Sequence, residues 1–266
     1  MWPAFFFQLS ILIILSAPVC RAQAFDRTLI AHRGGVVDST HTENGLPALQ
    51  DAARRGYWMV ELDMRLTKDS VLIAQHDNTL NRFYGQDRPV GQTNWNDMAG
   101  LVSQLDGNTP QPLERMLQEC QRRALQVMID NKINGLDTLL FARIVGLLRK
   151  YELQEKALMI GTDESTPYFT GKIRLSCTRQ QLEENQKKPG YRADHYFLFE
   201  GPKTLTQESV QWANRHGIMV VAAINKWAYK QSPDYLEVAK KDIERLKSYG
   251  IQYFQIDSEF DRFFRR

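Results

Sequence analysis

Short apolar runs alternate with longer amphipathic stretches along most of this chain. The runs are Leu29–Ala31, Met59–Met64, Val71–Ala74, Leu125–Ile129, Ala157–Ile160, Tyr196–Phe199, Ile218–Ile224 and Tyr253–Ile256. Each is short, apolar and bounded by polar or turn-forming residues, which predicts a strand. Between many of them, Gly45–Arg55, Pro112–Arg123, Leu136–Tyr151, Thr206–Arg215 and Tyr235–Tyr249 carry apolar residues at helical spacing. Pro112 near a start, and Gly56, Gly217 and Gly250 just past the ends, are the usual helix punctuation. Strands separated by helices pair in parallel through helical crossovers. Eight such strands at this length predict an α/β fold, a (β/α)₈ or TIM barrel. One joint does not fit. Leu66–Ser70 is too short for a helical crossover, so either the barrel is irregular there or the two flanking runs form a hairpin. A doubly wound open sheet is the alternative, but no Gly-x-Gly-x-x-Gly between a strand and a helix supports it.

Composition narrows this picture. The 266 residues are 43% hydrophobic and 24% charged, which suits one large domain, expected over residues 25–266. A formal net charge of +3 gives no reason to expect nucleic acid or an anionic membrane as the main partner. The first stretch stands apart. Phe5–Leu15 is nearly all apolar but too short to span a bilayer comfortably. Ala22-Gln23-Ala24 has the small-x-small form of a signal-peptidase site. Residues 1–24 are therefore expected to be a signal peptide cleaved after Ala24. Export follows, periplasmic or secreted, with no stable membrane span after processing; an N-terminal anchor is the alternative. Cleavage removes Cys20 and leaves Cys120 and Cys177, too few for a disulfide framework. The amphipathic pattern around Cys120 favours burial over pairing.

Polar residues gather at the ends of the predicted strands. The first ends in His32-Arg33-Gly34-Gly35, the second contains Glu61 and Asp63, another leads into His76-Asp77, and Leu125–Ile129 leads into Asp130-Asn131-Lys132. In a barrel these ends converge on one mouth. Glu61 and Asp63 are two apart and share a strand face, opposite Val60, Leu62 and Met64. Their repulsion fits a solvated face or a bound cation; Asp130 at another strand end favours a divalent ion such as Mg²⁺ or Ca²⁺. His32 and His76 at equivalent strand ends suit an acid and a base on either side of a reacting centre. Arg33 and Lys132 either balance the acids or, with a metal, bind an anion such as a phosphate. Glu43-Asn44 reads most simply as a helix-start acid and cap. Gly34 and Gly35 make a turn or let the chain pass close to a ligand. His41, His195 and His216 have no such placement and are read as structural.

These residues resemble the glycerophosphodiester phosphodiesterase family. The matching pieces are AHRGG at Ala31–Gly35, TEN at Thr42–Asn44, ELDMRLTKDS at Glu61–Ser70, QHDNTLNR at Gln75–Arg82, IDNK at Ile129–Lys132 and GIQYFQID at Gly250–Asp257. In order, they are spread over most of the chain after residue 24. The resemblance implies an irregular TIM barrel and a small-molecule phosphodiester as substrate. It implies divalent-metal-dependent hydrolysis of glycerophosphodiesters to glycerol 3-phosphate and an alcohol. His32 and His76 would be the acid–base pair. Glu61, Asp63 and Asp130 would hold the metal, Arg33 and Lys132 would contact the phosphate, and Glu43 would support them. Asp130 stands where a Glu is usual, a ligand one methylene shorter; spider-venom-type phospholipase D enzymes also have an Asp and a Lys there. The late strand reads VVAAINKW at Val220–Trp227: Asn225 is kept as a supporting residue, while Ala222 and Ala223 replace bulk. The substrate-covering insertion is reduced to roughly Asn78–Thr109. Two other readings stay open: a phospholipase D-like enzyme acting on lysophospholipids, and a non-catalytic barrel that binds a phosphorylated ligand.

Overall fold

The structure, a computed structural model, describes residues 25–266; the expected leader at 1–24 lies outside the described residues. The chain begins with β1 (Thr28–Ala31), α1 (Leu46–Arg55) and β2 (Met59–Leu66). It then makes β3 (Leu72–Ala74), β4 (Thr79–Leu80), α2 (Asn81–Tyr84), β5 (Gln86–Pro89), α3 (Trp95–Met98) and β6 (Gln111–Pro112). Next come α4 (Leu113–Arg122), β7 (Gln126–Asn131), α5 (Thr138–Lys150), β8 (Leu158–Ile160), α6 (Thr166–Phe169) and β9 (Arg174–Cys177). The last part is α7 (Arg179–Gln186), β10 (Tyr196–Glu200), α8 (Gln207–Arg215), β11 (Met219–Ile224), α9 (Tyr235–Ser248) and β12 (Tyr253–Ile256).

Eight of these strands, β1, β2 and β7 to β12, pair in parallel, and β1 joins both β2 and β12 to close the barrel. Period-two alternation divides every strand between two environments. Val60, Leu62, Met64, Val127 and Ile129 belong to the large core that packs strands against helices. Ile30, Met59, Met128, Leu158, Phe197 and Val221 form a second, smaller cluster, one residue from each of six strands. This is the barrel's own interior, a packed floor rather than a pore. Each such side chain contributes about 1.5–3 kcal/mol on burial. Stepping two residues toward the C-terminal end from this floor gives His32 from Ile30, Glu61 from Met59, and Asp130 from Met128. The same parity that seats the floor therefore aims the polar residues into the mouth.

The short joint is a hairpin. β2 continues beyond the rim and pairs antiparallel with β3, which pairs antiparallel with β6. Val71–Ala74, read from sequence as a barrel strand, is thus an extension outside the barrel. The barrel strand the hydrophobic pattern misses is β9. Its Arg174 and Ser176 alternate with Leu175 and Cys177, so no continuous apolar run marks it. The expected count of eight holds because these two errors cancel. Helix α7 is also unforeseen: it is short and mostly polar, and is set by a capping box between Thr178 and Gln181. Cys120 and Cys177 are both free and buried, as expected.

The insertion after β3 has its own small core of Ile73, Leu80, Tyr84, Val90 and Met98. It is tied to the loop after β1: the Thr42 N–H donates to Asp106 Oδ2 at 2.7 Å. Among the described residues, no helix is long and apolar enough to cross a membrane.

Candidate active site

The loop after β1 turns sharply because two positions tolerate no side chain. A Cβ on Gly35 would lie 2.2 Å from the Ala48 carbonyl oxygen, and one on Gly34 would lie 2.5 Å from Asn44 Cα. Both glycines have positive φ, 84° and 147°. What comes close to them is the protein's own chain. Arg33, at φ 56°, is also left-handed, and its backbone N–H donates to Glu61 Oε2 at 2.7 Å. A strained residue here aims a main-chain donor at the acid cluster.

Asp63 and Asp130 face each other on adjacent parallel strands. Glu61, Asp63 and Asp130 offer oxygens that all lie within 4.8 Å of one another. The shorter Asp130 side chain therefore reaches the cluster. Glu61 and Asp63 are each only 1% exposed, yet Glu61 Oε1 and Asp63 Oδ1 accept no hydrogen bond. Buried carboxylate oxygens without donors are costly. Lys132 is the nearest compensation, bonded to Asp130 Oδ2 and 3.4 Å from Asp63 Oδ1. Burial, reinforced by Asp63 and Asp130, pushes the Glu61 carboxyl well above its ordinary range. Burial also raises Asp130, against the pull of Lys132. Burial works to lower the Lys132 ammonium, but the carboxylates of Asp130 and Asp63 more than offset it and hold it raised. Hard oxygen donors, mutual repulsion and two unsatisfied oxygens fit a divalent cation.

The histidines stand beside this cluster, each backed by a carboxylate. His32 Nδ1 is 2.6 Å from Asp257 Oδ1, and Asp257 Oδ2 accepts the Lys226 N–H at 2.6 Å. Burial tends to raise Asp257, but its bond to His32 and the other donors hold it below the ordinary range. His76 Nδ1 is 2.9 Å from Asp77 Oδ1. Arg33 Nη2 approaches His76 Nε2 at 3.3 Å. A guanidinium only donates, so Nε2 accepts and Nδ1 carries the proton given to Asp77. Arg65 fixes the backbone here, donating from Nε and Nη2 to the His76 carbonyl at 2.9 and 2.7 Å.

Glu43 is buried beneath these groups. It accepts from Arg33 Nη1 at 2.9 Å and from Arg82, which also donates to Asp77 Oδ2 at 2.7 Å. Burial raises its carboxyl despite both arginines. Neither Glu43 nor Asn44 caps α1, whose N-cap is Gly45. The Asn44 amide instead donates to Asp63 Oδ2 at 2.9 Å and its oxygen accepts the Asp63 N–H at 3.1 Å. Asn225 makes no hydrogen bond to the acids or histidines; its amide donates to Gln255 at 3.3 Å. Its amide oxygen, also buried, has no partner.

Asp257, Arg65 and Arg82 were not assigned roles from sequence, and Asn44 was read only as a helix cap. Asp257 ends a strand at the same parity as Gln255, a signal that could have placed it in the mouth. His195 and His216 lie outside the site. A cleft of roughly 1090 Å³ opens beside His32, lined among others by Arg33, Glu43, Arg82, Lys226 and Asp257.

Comparison with known proteins places this geometry. The model of the glycerophosphoryl diester phosphodiesterase family matches residues 32–255. A human lysophospholipase D is 29% identical over 143 residues, 51% of this chain and 44% of that protein. Human glycerophosphodiester phosphodiesterase 1 is 44% identical over 70 residues, 24% of this chain and 20% of that protein. The alignments thus span less than half the length of these relatives. An Oleispira antarctica phosphodiesterase solved with the product sn-glycerol-3-phosphate has the same fold, with a TM-score of 0.70 at 18% identity, covering 89% of this chain and 96% of that one. A glycerophosphoryl diester phosphodiesterase from Parabacteroides distasonis gives 0.71 at 18% identity, covering 91% and 87%. With the family model matched across nearly the whole barrel, and its matched span running from His32 to the strand that precedes Asp257, this chain belongs to the glycerophosphoryl diester phosphodiesterase family.

Proposed function

We propose that this chain hydrolyses glycerophosphodiesters to glycerol 3-phosphate and an alcohol with the help of a divalent cation. The observation that carries the reading is the convergence of Glu61, Asp63 and Asp130, with two orphaned buried oxygens, beside two carboxylate-backed histidines. A cation held by these three acids would supply positive charge to the phosphate. His32 and His76 handle protons: one takes a proton from the nucleophile, and the other gives one to the leaving alkoxide. Asp257 and Asp77 keep each ring oriented with Nδ1 inward. Arg33, whose Nε has no acceptor, and Lys132 offset the charge that builds on the phosphoryl oxygens. The test is release of glycerol 3-phosphate from glycerophosphocholine with Mg²⁺ or Ca²⁺. Chelation should abolish turnover, and His32→Ala or His76→Ala should each lower kcat by about 10²–10⁴-fold. Turnover that survives chelation and both substitutions would sink the mechanism.

Lysophospholipid cleavage is a second reading. It is favoured by the lysophospholipase D relative and by a cleft larger than glycerol needs. Rates on a lysophospholipid and on a soluble diester, compared in one preparation, separate the two. Binding of glycerol 3-phosphate without turnover of either substrate, in metal-replete protein, would favour the non-catalytic alternative. Export remains part of the proposal, resting on the leader-like stretch. Mass spectrometry of the mature protein should find Phe25 as its first residue; an intact N-terminus would refute the expected cleavage.

A further inference from the structure

Among the described residues, six large apolar side chains are strongly exposed: Val102, Leu105, Leu136, Leu139, Trp227 and Val238. All six sit on segments that follow the C-terminal ends of barrel strands, Val238 in the first turn of α9, on the face that carries the mouth. Val102 and Leu105 end the insertion, Leu136 and Leu139 lead into and begin α5, and Trp227 follows β11. Among the described residues, the connections at the opposite end of the barrel expose none. Leu139 is 84% exposed and Trp227 66%, so neither belongs to the packing of the fold.

Cations share this rim. Trp227 lies between Lys226 and Lys230, with Arg262 on the neighbouring connection after β12. Across the same cleft, Arg82 stacks on Phe83 at 4.7 Å. Lys230 and Arg262 have no carboxylate partner among the described residues; Arg262 donates only to the Glu259 carbonyl, at 3.1 Å. The net charge of +3 averages over the chain and conceals this local excess. Tryptophan with flanking Lys and Arg is the composition of an interfacial anchor. The apolar tips are single and spread round a ring, which suits a fluid planar surface. A protein partner needs a contiguous packed centre.

We propose that this rim docks the barrel mouth onto an anionic lipid surface. Trp227 and the apolar tips enter the headgroup region, and Lys230 and Arg262 meet lipid phosphates. Docking does not depend on the catalytic reading, and it would bring the mouth to substrates held in a membrane.

The protein as isolated should co-sediment with phosphatidylcholine vesicles containing phosphatidylglycerol, and far less with phosphatidylcholine alone. Added salt should weaken the association. Lys230→Glu with Arg262→Glu should lower partitioning by about tenfold or more, at roughly 1 kcal/mol for each charge lost near the surface. Trp227→Ala should also lower it, and Arg215→Glu, in the exposed last turn of α8 at the opposite end of the barrel, should leave it unchanged. All variants share one N-terminus, so the differences read the rim alone. Brominated lipid should quench tryptophan fluorescence in the native chain and less in Trp227→Phe, a check that does not depend on the charge reversals. The proposal is overturned by absence of binding to anionic vesicles, or by binding and quenching that ignore the rim substitutions.

Discussion

Asp257 is the residue whose position says most about the chemistry. It grips His32 with one oxygen and the Lys226 N–H with the other, so it can neither turn nor leave. Its carboxylate only accepts, which keeps the ring proton on Nδ1. An asparagine could donate instead and let the proton move to Nε2. Asp257→Asn should therefore lower kcat by about 10²-fold or more while KM and metal affinity change little. Steady-state kinetics with a metal titration check this, and an equal loss in kcat and metal binding would contradict it. This residue was not legible as a participant in sequence. Local signals tie a residue to its neighbours in the chain, and Asp257 acts on a partner 225 positions away. The same limit explains Glu43 and Asn44. Thr-Glu-Asn before a helix has a complete local explanation as a cap, and that explanation concealed a buried arginine clamp and a brace for Asp63. Glu61 and Asp63 were legible because β2 alternates unambiguously, and His32 because it directly follows a barrel strand; His76 follows β3, which lies outside the barrel, so the expectation of equivalent strand ends for the two histidines does not hold.

At the scale of elements, the insertion after β3 has a core of its own, while Leu72 and Ala74 of the hairpin pack in the main one. Leu80 and Val90 pack in a cluster that shares no buried residue with the main core, and Arg82 and His76 ride on its edge. Leu80→Ala should cost about 2–5 kcal/mol locally. That loss should open residues 78–109 before the barrel melts. Limited proteolysis should cut within this segment, and activity should fall further than the loss in Tm suggests. Uniform destabilisation without local cleavage would show the unit is not separate. The pattern of apolar runs found the barrel but misplaced one strand, for a physical reason. Apolar continuity reports burial on both faces, which β3 has through the insertion and β9 lacks through Arg174 and Ser176.

For the whole molecule, the acid cluster couples stability to pH and metal. The folded state raises Glu61 above its ordinary value of 4.5, so in metal-free protein it retains a proton the unfolded chain has released. That contribution is full below 4.5 and is lost as pH rises through the raised folded value. Chelated protein should thus lose stability as pH rises from 4.5 toward the raised folded value, relative to Glu61→Gln. Mg²⁺ or Ca²⁺ should restore native-chain stability most at the upper end, where metal competes with fewer protons. Urea denaturation of both proteins across this range, with and without metal, measures it. Parallel curves for the two proteins would remove Glu61 as the source.

The seam between β1 and β12 has a consequence for biosynthesis. His32 and its partner Asp257 lie 225 positions apart, so the histidine leaves the ribosome long before the carboxylate that holds it. Contacts of such separation form late in folding. A chain truncated before Asp257, however well its middle strands have paired, leaves His32 without its carboxylate partner. Completion of the barrel and onset of turnover would then be one event, and activity itself a reporter of ring closure.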